Sequence, residues 1–108
     1  MASKPHHNVY VIELDDAVWR RARFARANPQ WDPAKECLYV GCTGLAPEER
    51  FENHLKGHKD CPIARDFGLK LRPDLYAHLN PMSYADARAM EVELAEDLRS
   101  RGYAVWQN

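Results

Sequence analysis

The sequence predicts an α+β fold, with a small sheet flanked by helices, and three stretches carry this prediction. An alternating run rich in β-branched residues, Asn8–Leu14, is typical of a strand. A second apolar run, 37–41, ends in a glycine turn and leads into a short helix. A long amphipathic pattern over Tyr84–Ser100 is typical of a helix with one buried side. At 108 residues, the chain has the length of one domain with one core.

An arginine-rich insert, residues 15–35, separates the first two strands. Asp15 and Asp16 offer an N-cap for a helix over 17–27, which Asn28 and Pro29 stop. The rest of the insert is predicted to be a loop. The two strands are expected to pair antiparallel, although the insert between them is too long for a tight hairpin turn.

The stretch 38–57 is the centre of the functional prediction. Tyr39 and Gly41 share one face of their strand, and the glycine is expected to leave open space beside the Tyr39 hydroxyl. Pro47 suits the first position of the following helix, which Gly57 ends. Two polar side chains of this helix, Arg50 and His54, lie one turn apart. A tyrosine, a gap and an arginine together could hold an anionic group.

A third strand is predicted over 66–72 from the alternation of Phe67, Leu69 and Leu71. The segments before and after it, 58–65 and 74–79, are not decided by their sequence. On the preceding helix, Phe51 and Leu55 are expected in the core.

The final helix carries an acid at an unusual position. Ser83 and Asp86 resemble a capping box, and Gly102 lies just beyond the helix end. Glu91 falls about 100° from Met90, at the edge of the apolar stripe, whereas Glu93 and Glu96 face water. Residues 103–106 are a candidate edge strand. The stripe itself consists of Ala87, Met90, Leu94 and Leu98.

Composition and charge exclude several classes of protein. The net charge of −1 is not that of a strongly basic nucleic-acid-binding protein. The charges are unevenly spread: residues 50–72 hold six bases against three acids, and 73–100 hold two bases against six acids. No apolar run approaches a membrane span, and no secretion signal is recognised. The expected location is therefore intracellular: the cytoplasm, or the nucleus in a eukaryote.

The three cysteines are expected to be reduced and partly buried. A zinc site made of Cys42, His54, His58 and Cys61 is an alternative interpretation of their spacing. It is the weaker one, because no Cys-x-x-Cys pair anchors it.

The order of these elements resembles the GIY-YIG nuclease domain. The resemblance rests on Asn8-Val9-Tyr10, on Tyr39-Val40-Gly41, on Arg50-Phe51-x-x-His54-x-x-Gly57, and on one acid of the late helix. It covers nearly the whole chain. Asn8 stands where the family usually has glycine, and the insert 15–35 is longer than the usual connection. The resemblance implies a mainly antiparallel sheet of three strands flanked by helices.

The resemblance also implies a site that hydrolyses phosphodiester bonds with one divalent metal ion, Mg²⁺ or Mn²⁺. Tyr10 and Tyr39 would line the site and activate or orient water. Arg50 would bind the scissile phosphate, Glu91 would hold the metal, and His54 would assist hydrogen bonding or proton transfer. The expected substrate-binding residues are Gly41, Thr43, Lys56 and Asn108.

The resulting prediction is a metal-dependent endonuclease that acts on DNA, including branched or damaged DNA. The alternative is a module of the same fold with little or no catalysis, which binds nucleic acid or, through its arginine-rich insert, another protein. The small size also suggests a homodimer or a larger protein partner, since cutting both strands of a duplex needs two sites.

Overall fold

A four-stranded mixed sheet lies at the centre of the protein in the computed structural model, which describes residues 5–57 and 61–107. The strand order is β3-β1-β2-β4. Short 3₁₀ turns precede the first helix and follow the third strand. In chain order the elements are β1 (Asn8–Leu14), a 3₁₀ turn (Asp16–Arg20), α1 (Ala22–Ala27), β2 (Cys37–Thr43), α2 (Pro47–Leu55), α3 (Pro62–Phe67), β3 (Gly68–Leu71), two 3₁₀ turns (Pro73–Leu75 and Ala77–Leu79), α4 (Tyr84–Ser100) and β4 (Ala104–Gln107).

The prediction of an α+β fold is confirmed. The prediction of a mainly antiparallel sheet of three strands is wrong, because the sheet is mixed and has four strands. β1 pairs antiparallel with both β2 and β3, as expected. β4 adds a fourth strand that runs parallel to β2, from Cys37↔Ala104 to Val40↔Gln107. A parallel pair needs a long crossover connection, and α4 lies within the connection here. The sheet is therefore mixed because α4 carries the chain back along the sheet, so that β4 enters parallel to β2.

Helices cover both faces of the sheet, which explains why strand residues of both parities are buried. On one face, α2 packs against β1 and β3. Phe51 of α2 and Ile12 of β1 both lie close to Gly68, where a Cβ would meet both side chains. On the other face, α4 packs against β1 and β2. Val9, Val11 and Val40 are completely buried. A strand buried on both sides has apolar residues throughout, which fits the near-continuous apolar run of β2.

The insert is structured but does not form the single helix predicted over 17–27. Asp15 caps the 3₁₀ turn as predicted, accepting from the Ala17 N–H at 2.8 Å. Arg21 then adopts an extended backbone, with ψ of 114°, and divides the 3₁₀ turn from α1. This break allows Phe24 of α1 to be fully buried, with its ring stacked on Trp106 of β4.

The segment after α2 departs from the prediction. α2 begins at Pro47 as expected, and Gly57 has a φ of 81°, which favours glycine. α3 then occupies much of the undecided segment, so that β3 begins only at Gly68. Leu55 and Leu69 are 47% and 54% exposed, so the expected core role of Leu55 and the inward alternation at Leu69 are both wrong.

The predicted final helix is confirmed at both ends. The Ser83 side chain accepts from the Asp86 N–H at 3.1 Å, and Gly102 has a φ of 96°. The stripe is buried at Ala87, Leu94 and Leu98, whereas Met90 is only partly covered. Among the described residues, no helix has the length and apolar character needed to cross a membrane.

Candidate active site

The phenol of Tyr10 is the centre of a buried polar group between β1 and α2. Tyr10 is 1% exposed and His54 is fully buried. The Tyr10 Oη and the His54 Nε2 lie 2.9 Å apart. The two side chains come from positions 44 residues apart. The polar His54 of α2 can be buried in the core because Tyr10 is its hydrogen-bond partner there.

Gly41 makes room for Tyr10, not for Tyr39 as the sequence had suggested. The two residues are direct partners across the antiparallel pair β1–β2. A Cβ at Gly41 would lie 2.6 Å from the Tyr10 hydroxyl and 2.7 Å from its ring carbon. The glycine thus allows the Tyr10 ring to lie directly over β2, and the expected open space is filled by this ring.

The hydrogen bonds of His54 define which of its nitrogens carries the proton. The Cys61 N–H donates to His54 Nδ1 at 3.2 Å. Since Nδ1 accepts, the neutral ring carries its proton on Nε2. His54 Nε2–H therefore donates to the Tyr10 hydroxyl oxygen.

Tyr39 and Arg50 complete the surroundings of the Tyr10 hydroxyl. Burial raises the pKa of Tyr10 to about 12, and the nearby Arg50 charge together with hydrogen bonds from Tyr39 and Arg50 limits this rise. Burial also raises the pKa of Tyr39, and its hydrogen bond to Tyr10 raises it further. Tyr10 and Tyr39 therefore interact through their hydroxyl groups.

Glu91 is the buried acid of α4, as its position at the stripe edge predicted. It is 4% exposed, whereas Glu93 and Glu96 are exposed. Its negative charge contributes to raising the pKa of both Tyr10 and Tyr39. α4 thus brings a carboxylate near the two tyrosines from the other side of the sheet.

The Cys42 thiol is the neighbour of Glu91. Burial, and then a hydrogen bond to Glu91, raise the pKa of Cys42 to about 12. The thiol is therefore neutral near pH 7 and donates to the carboxylate. Sequence reasoning missed this contact, although the alternation of β2 places Cys42 on the face opposite Tyr39 and Gly41, and therefore toward α4.

Glu91 is the residue to which the resemblance assigns the metal ion. Among residues 5–57 and 61–107, no cluster of three or more His, Cys, Asp or Glu side chains could hold a metal. Mg²⁺ keeps several water ligands and needs only one or two carboxylates together with substrate phosphates. The candidate site offers one such carboxylate, Glu91. In the alternative zinc site, both nitrogens of His54 already have hydrogen-bond partners, so His54 is not available as a zinc ligand. His58 lies outside the described residues.

The remaining predicted site residues have different positions. Thr43 is buried at the end of β2, where its Oγ1 accepts from the Leu45 N–H at 3.0 Å and shapes the turn into α2. Lys56 is exposed and ends α2. Asn108 lies outside the described residues. Asn8 donates from Nδ2 to the Leu45 carbonyl at 3.0 Å and so supports the same turn as Thr43.

The structure thus brings together Tyr10, Tyr39, Arg50 and His54, with Glu91 close enough to affect both tyrosines. Such a buried group of tyrosines, arginine, neutral histidine and carboxylate can bind an anion and move a proton. Comparisons with models of known families, with curated proteins and with solved structures found no match.

Proposed function

We propose that this protein is a metal-dependent endonuclease that hydrolyses phosphodiester bonds in DNA. One observation carries the proposal: the Tyr10 hydroxyl lies 2.9 Å from His54 Nε2 and interacts with both Tyr39 and Arg50. This arrangement, with the charge of the buried Glu91 acting on both tyrosines, has the composition needed to bind a phosphate and activate water. It also agrees with the roles that the resemblance to GIY-YIG nucleases implies for these residues.

Tyr10 is the general base in this proposal. The positive charge of Arg50 and the interactions with Tyr39 and Arg50 favour the phenolate and limit the rise that burial causes in the pKa of Tyr10. Tyr39 is less suited to this role, because its hydrogen bond to Tyr10 favours its own protonated form.

Arg50 binds the scissile phosphate. Its planar guanidinium presents a fork of N–H donors whose geometry matches the oxygens of a phosphodiester. Charge that develops on the phosphate during attack is stabilised by this fixed cation in a site with little water. The positive charge of Arg50 also favours the deprotonated form of Tyr10.

Glu91 would hold the divalent ion. The chemistry that Mg²⁺ or Mn²⁺ would supply there is Lewis acidity, which lowers the pKa of a bound water. The Cys42 thiol fixes the Glu91 carboxylate by donating to it. His54 holds the Tyr10 oxygen through the hydrogen bond of 2.9 Å. The hydrogen bond from the Cys61 N–H in turn orients the His54 ring.

A nucleic-acid-binding module without catalysis is the second candidate function. The observation that favours it is the pKa of Tyr10, which burial raises to about 12 in the protein by itself. With such a pKa, Tyr10 stays protonated near neutral pH and cannot take a proton from water as a general base. In that case DNA affinity is unaffected by Glu91→Gln and falls steeply with salt, as phosphate contacts require.

A cleavage assay tests the proposal. The purified protein is incubated with nicked, branched and linear DNA in the presence of Mg²⁺ or Mn²⁺, beside two variants of α4. Glu91→Gln keeps the shape of the side chain and removes its charge. Glu93→Gln makes the same change at an exposed position of the same helix. Thermal denaturation verifies that both variants fold.

We expect cleavage by the wild-type protein and by Glu93→Gln, but none by Glu91→Gln and none with EDTA. Loss of one such group costs about 10²–10³ in rate or more. No cleavage of any DNA at high protein concentration, or equal cleavage by Glu91→Gln, would overturn the proposal.

A further inference from the structure

A groove of about 400 Å³ lies between the arginine-rich insert and the start of α3. Arg21 and Arg23 line one side, Cys61 and Ile63 line the other, and Trp106 of β4 also contributes. We call it the arginine groove. Its volume is in the range of sites that bind small organic molecules or a single nucleotide.

The arginine groove shares a wall with the candidate active site. Cys61 lines the groove, and its N–H donates to His54 at 3.2 Å. Trp106 is the direct partner of Tyr39 in the parallel pair β2–β4, so both side chains emerge on one face of the sheet. Neighbouring strands lie about 4.8 Å apart. The groove therefore begins about one strand spacing from Tyr39.

The groove combines positive charge with an aromatic surface. The Arg23 guanidinium lies over the Trp106 ring, 5.7 Å from its centroid. On the same indole, the Phe24 ring is stacked with centroids 6.4 Å apart. Arg21 remains 57% exposed although it contacts Asp66 at 3.4 Å. Cationic side chains beside a stacking ring are the features with which proteins bind single-stranded nucleic acid.

We propose that the arginine groove binds an unpaired nucleotide of DNA next to the bond that is cleaved. The base displaces the exposed Arg23 guanidinium from the Trp106 ring and stacks there, while the phosphates contact Arg21 and Arg23. Only an unpaired base can offer its face to this ring. The substrate class is therefore DNA with a single-stranded segment at the cleavage site, such as a flap or a splayed arm. This inference rests on the proposed nuclease function for its place in the reaction.

Binding of single-stranded DNA without divalent metal tests the groove independently of catalysis. Fluorescence anisotropy measures the affinity of a labelled oligothymidine for the wild-type protein and its variants. Arg23→Ala removes a groove arginine. Arg26→Ala is the matched control, because Arg26 is an exposed arginine of the same helix that does not line the groove.

We expect Arg23→Ala to weaken binding and to reduce the slope of log affinity against log salt by about 0.7, the value for one phosphate contact on a single strand. Trp106→Leu is expected to weaken binding roughly 5- to 100-fold through lost stacking. Arg26→Ala is expected to bind like the wild-type protein. Duplex DNA without unpaired bases is expected to bind more weakly than the single strand.

Three results would overturn the inference. They are no binding of the oligothymidine by the wild-type protein, an equal loss in Arg23→Ala and Arg26→Ala, and tighter binding of continuous duplex. A protein that binds through the groove but cuts no DNA would refute the nuclease and leave the groove assignment standing. A protein that cuts DNA but gives any of the three results would refute the groove assignment and leave the nuclease proposal standing.

Discussion

At the scale of single residues, the account depends on the Tyr10 hydroxyl. Its oxygen accepts from His54 at 2.9 Å and also interacts with Tyr39 and Arg50. Buried polar groups in such a network depend on one another, because removing one leaves its partners without a hydrogen bond. The hydroxyl therefore has both a structural and a chemical role.

Tyr10→Phe separates these two roles. We expect a loss of about 10²–10³ in the rate of DNA cleavage, together with destabilisation of about 1–3 kcal/mol from the unpaired donors. The control is Tyr76→Phe, since Tyr76 is a buried tyrosine whose pKa burial also raises to about 12. An equal loss of cleavage rate in both variants would contradict the role given to Tyr10.

The glycine of β2 is tested by adding one methyl group. In Gly41→Ala the new Cβ would lie 2.6 Å from the Tyr10 hydroxyl, so the ring has to move. We expect destabilisation of about 1–3 kcal/mol, as is typical of overpacking, and a strong loss of cleavage. Gly44→Ala is the matched control, because its Cβ would approach only His7, at 3.3 Å. Urea denaturation and the cleavage assay measure the two effects.

Several of these residues could be recognised from the sequence because short motifs resemble those of GIY-YIG nucleases. Tyr10, Tyr39, Arg50 and His54 belong to these motifs, and helical periodicity places Glu91 at the edge of the apolar stripe. The Cys61 N–H and the Cys42 thiol could not be found this way. Their contacts depend on how the chain returns after α2 and on the packing of α4 against β2.

At the scale of elements, the insert is fixed to the body by one buried amide. Asn28 is completely buried. Its Oδ1 accepts from the Val105 N–H at 2.7 Å, and its Nδ2 donates to the Phe24 carbonyl at 2.9 Å. The Arg99 Nε donates to the same Oδ1 at 3.4 Å. Asn28 thus links α1, α4 and β4.

Asn28→Ala is expected to loosen the insert. It leaves the Val105 N–H unpaired in a buried position, which costs about 1–3 kcal/mol. Hydrogen exchange should then become faster at Val105 and within α1, while the exchange of β1 follows global stability alone. Gln30→Ala is the control, since Gln30 bonds Asn28 and Tyr103 from an exposed position. Unchanged protection at Val105 would contradict this role.

Elements with a strong local pattern could be predicted, and elements that depend on tertiary contacts could not. β1 and α4 have clear periodicity and agree with the prediction. The break at Arg21 serves the burial of Phe24 against Trp106, a contact between distant parts of the chain. The sequence predicts an edge strand at 103–106 but not its parallel pairing with β2, because this pairing depends on the path of α4.

At the scale of the whole molecule, several buried neutral groups make stability depend on alkaline pH. Burial raises the pKa of Cys37 and Cys42 from 9.0 to about 12, and that of Tyr10 and Tyr76 from 10.0 to about 12. The unfolded chain therefore loses these protons at lower pH than the folded protein. The stabilisation is complete below pH 9 and is lost as the pH rises toward 12.

Urea denaturation between pH 7 and pH 11 measures this dependence. The free energy of unfolding is expected to change little near neutral pH from these groups and to fall increasingly above pH 9. Cys42→Ala is expected to give a smaller fall between pH 9 and pH 10. A free energy of unfolding that rises over this range would contradict the neutral state of the buried groups.

The central claim is most directly tested by the position of a bound Mn²⁺ ion. Anomalous diffraction from a crystal soaked in Mn²⁺, with DNA bound, locates the ion without reference to activity. The account predicts a peak in direct contact with the Glu91 carboxylate, beside Tyr39 and Arg50, and no such peak in Glu91→Gln. An ion bound elsewhere, or the same peak in the variant, would contradict the account.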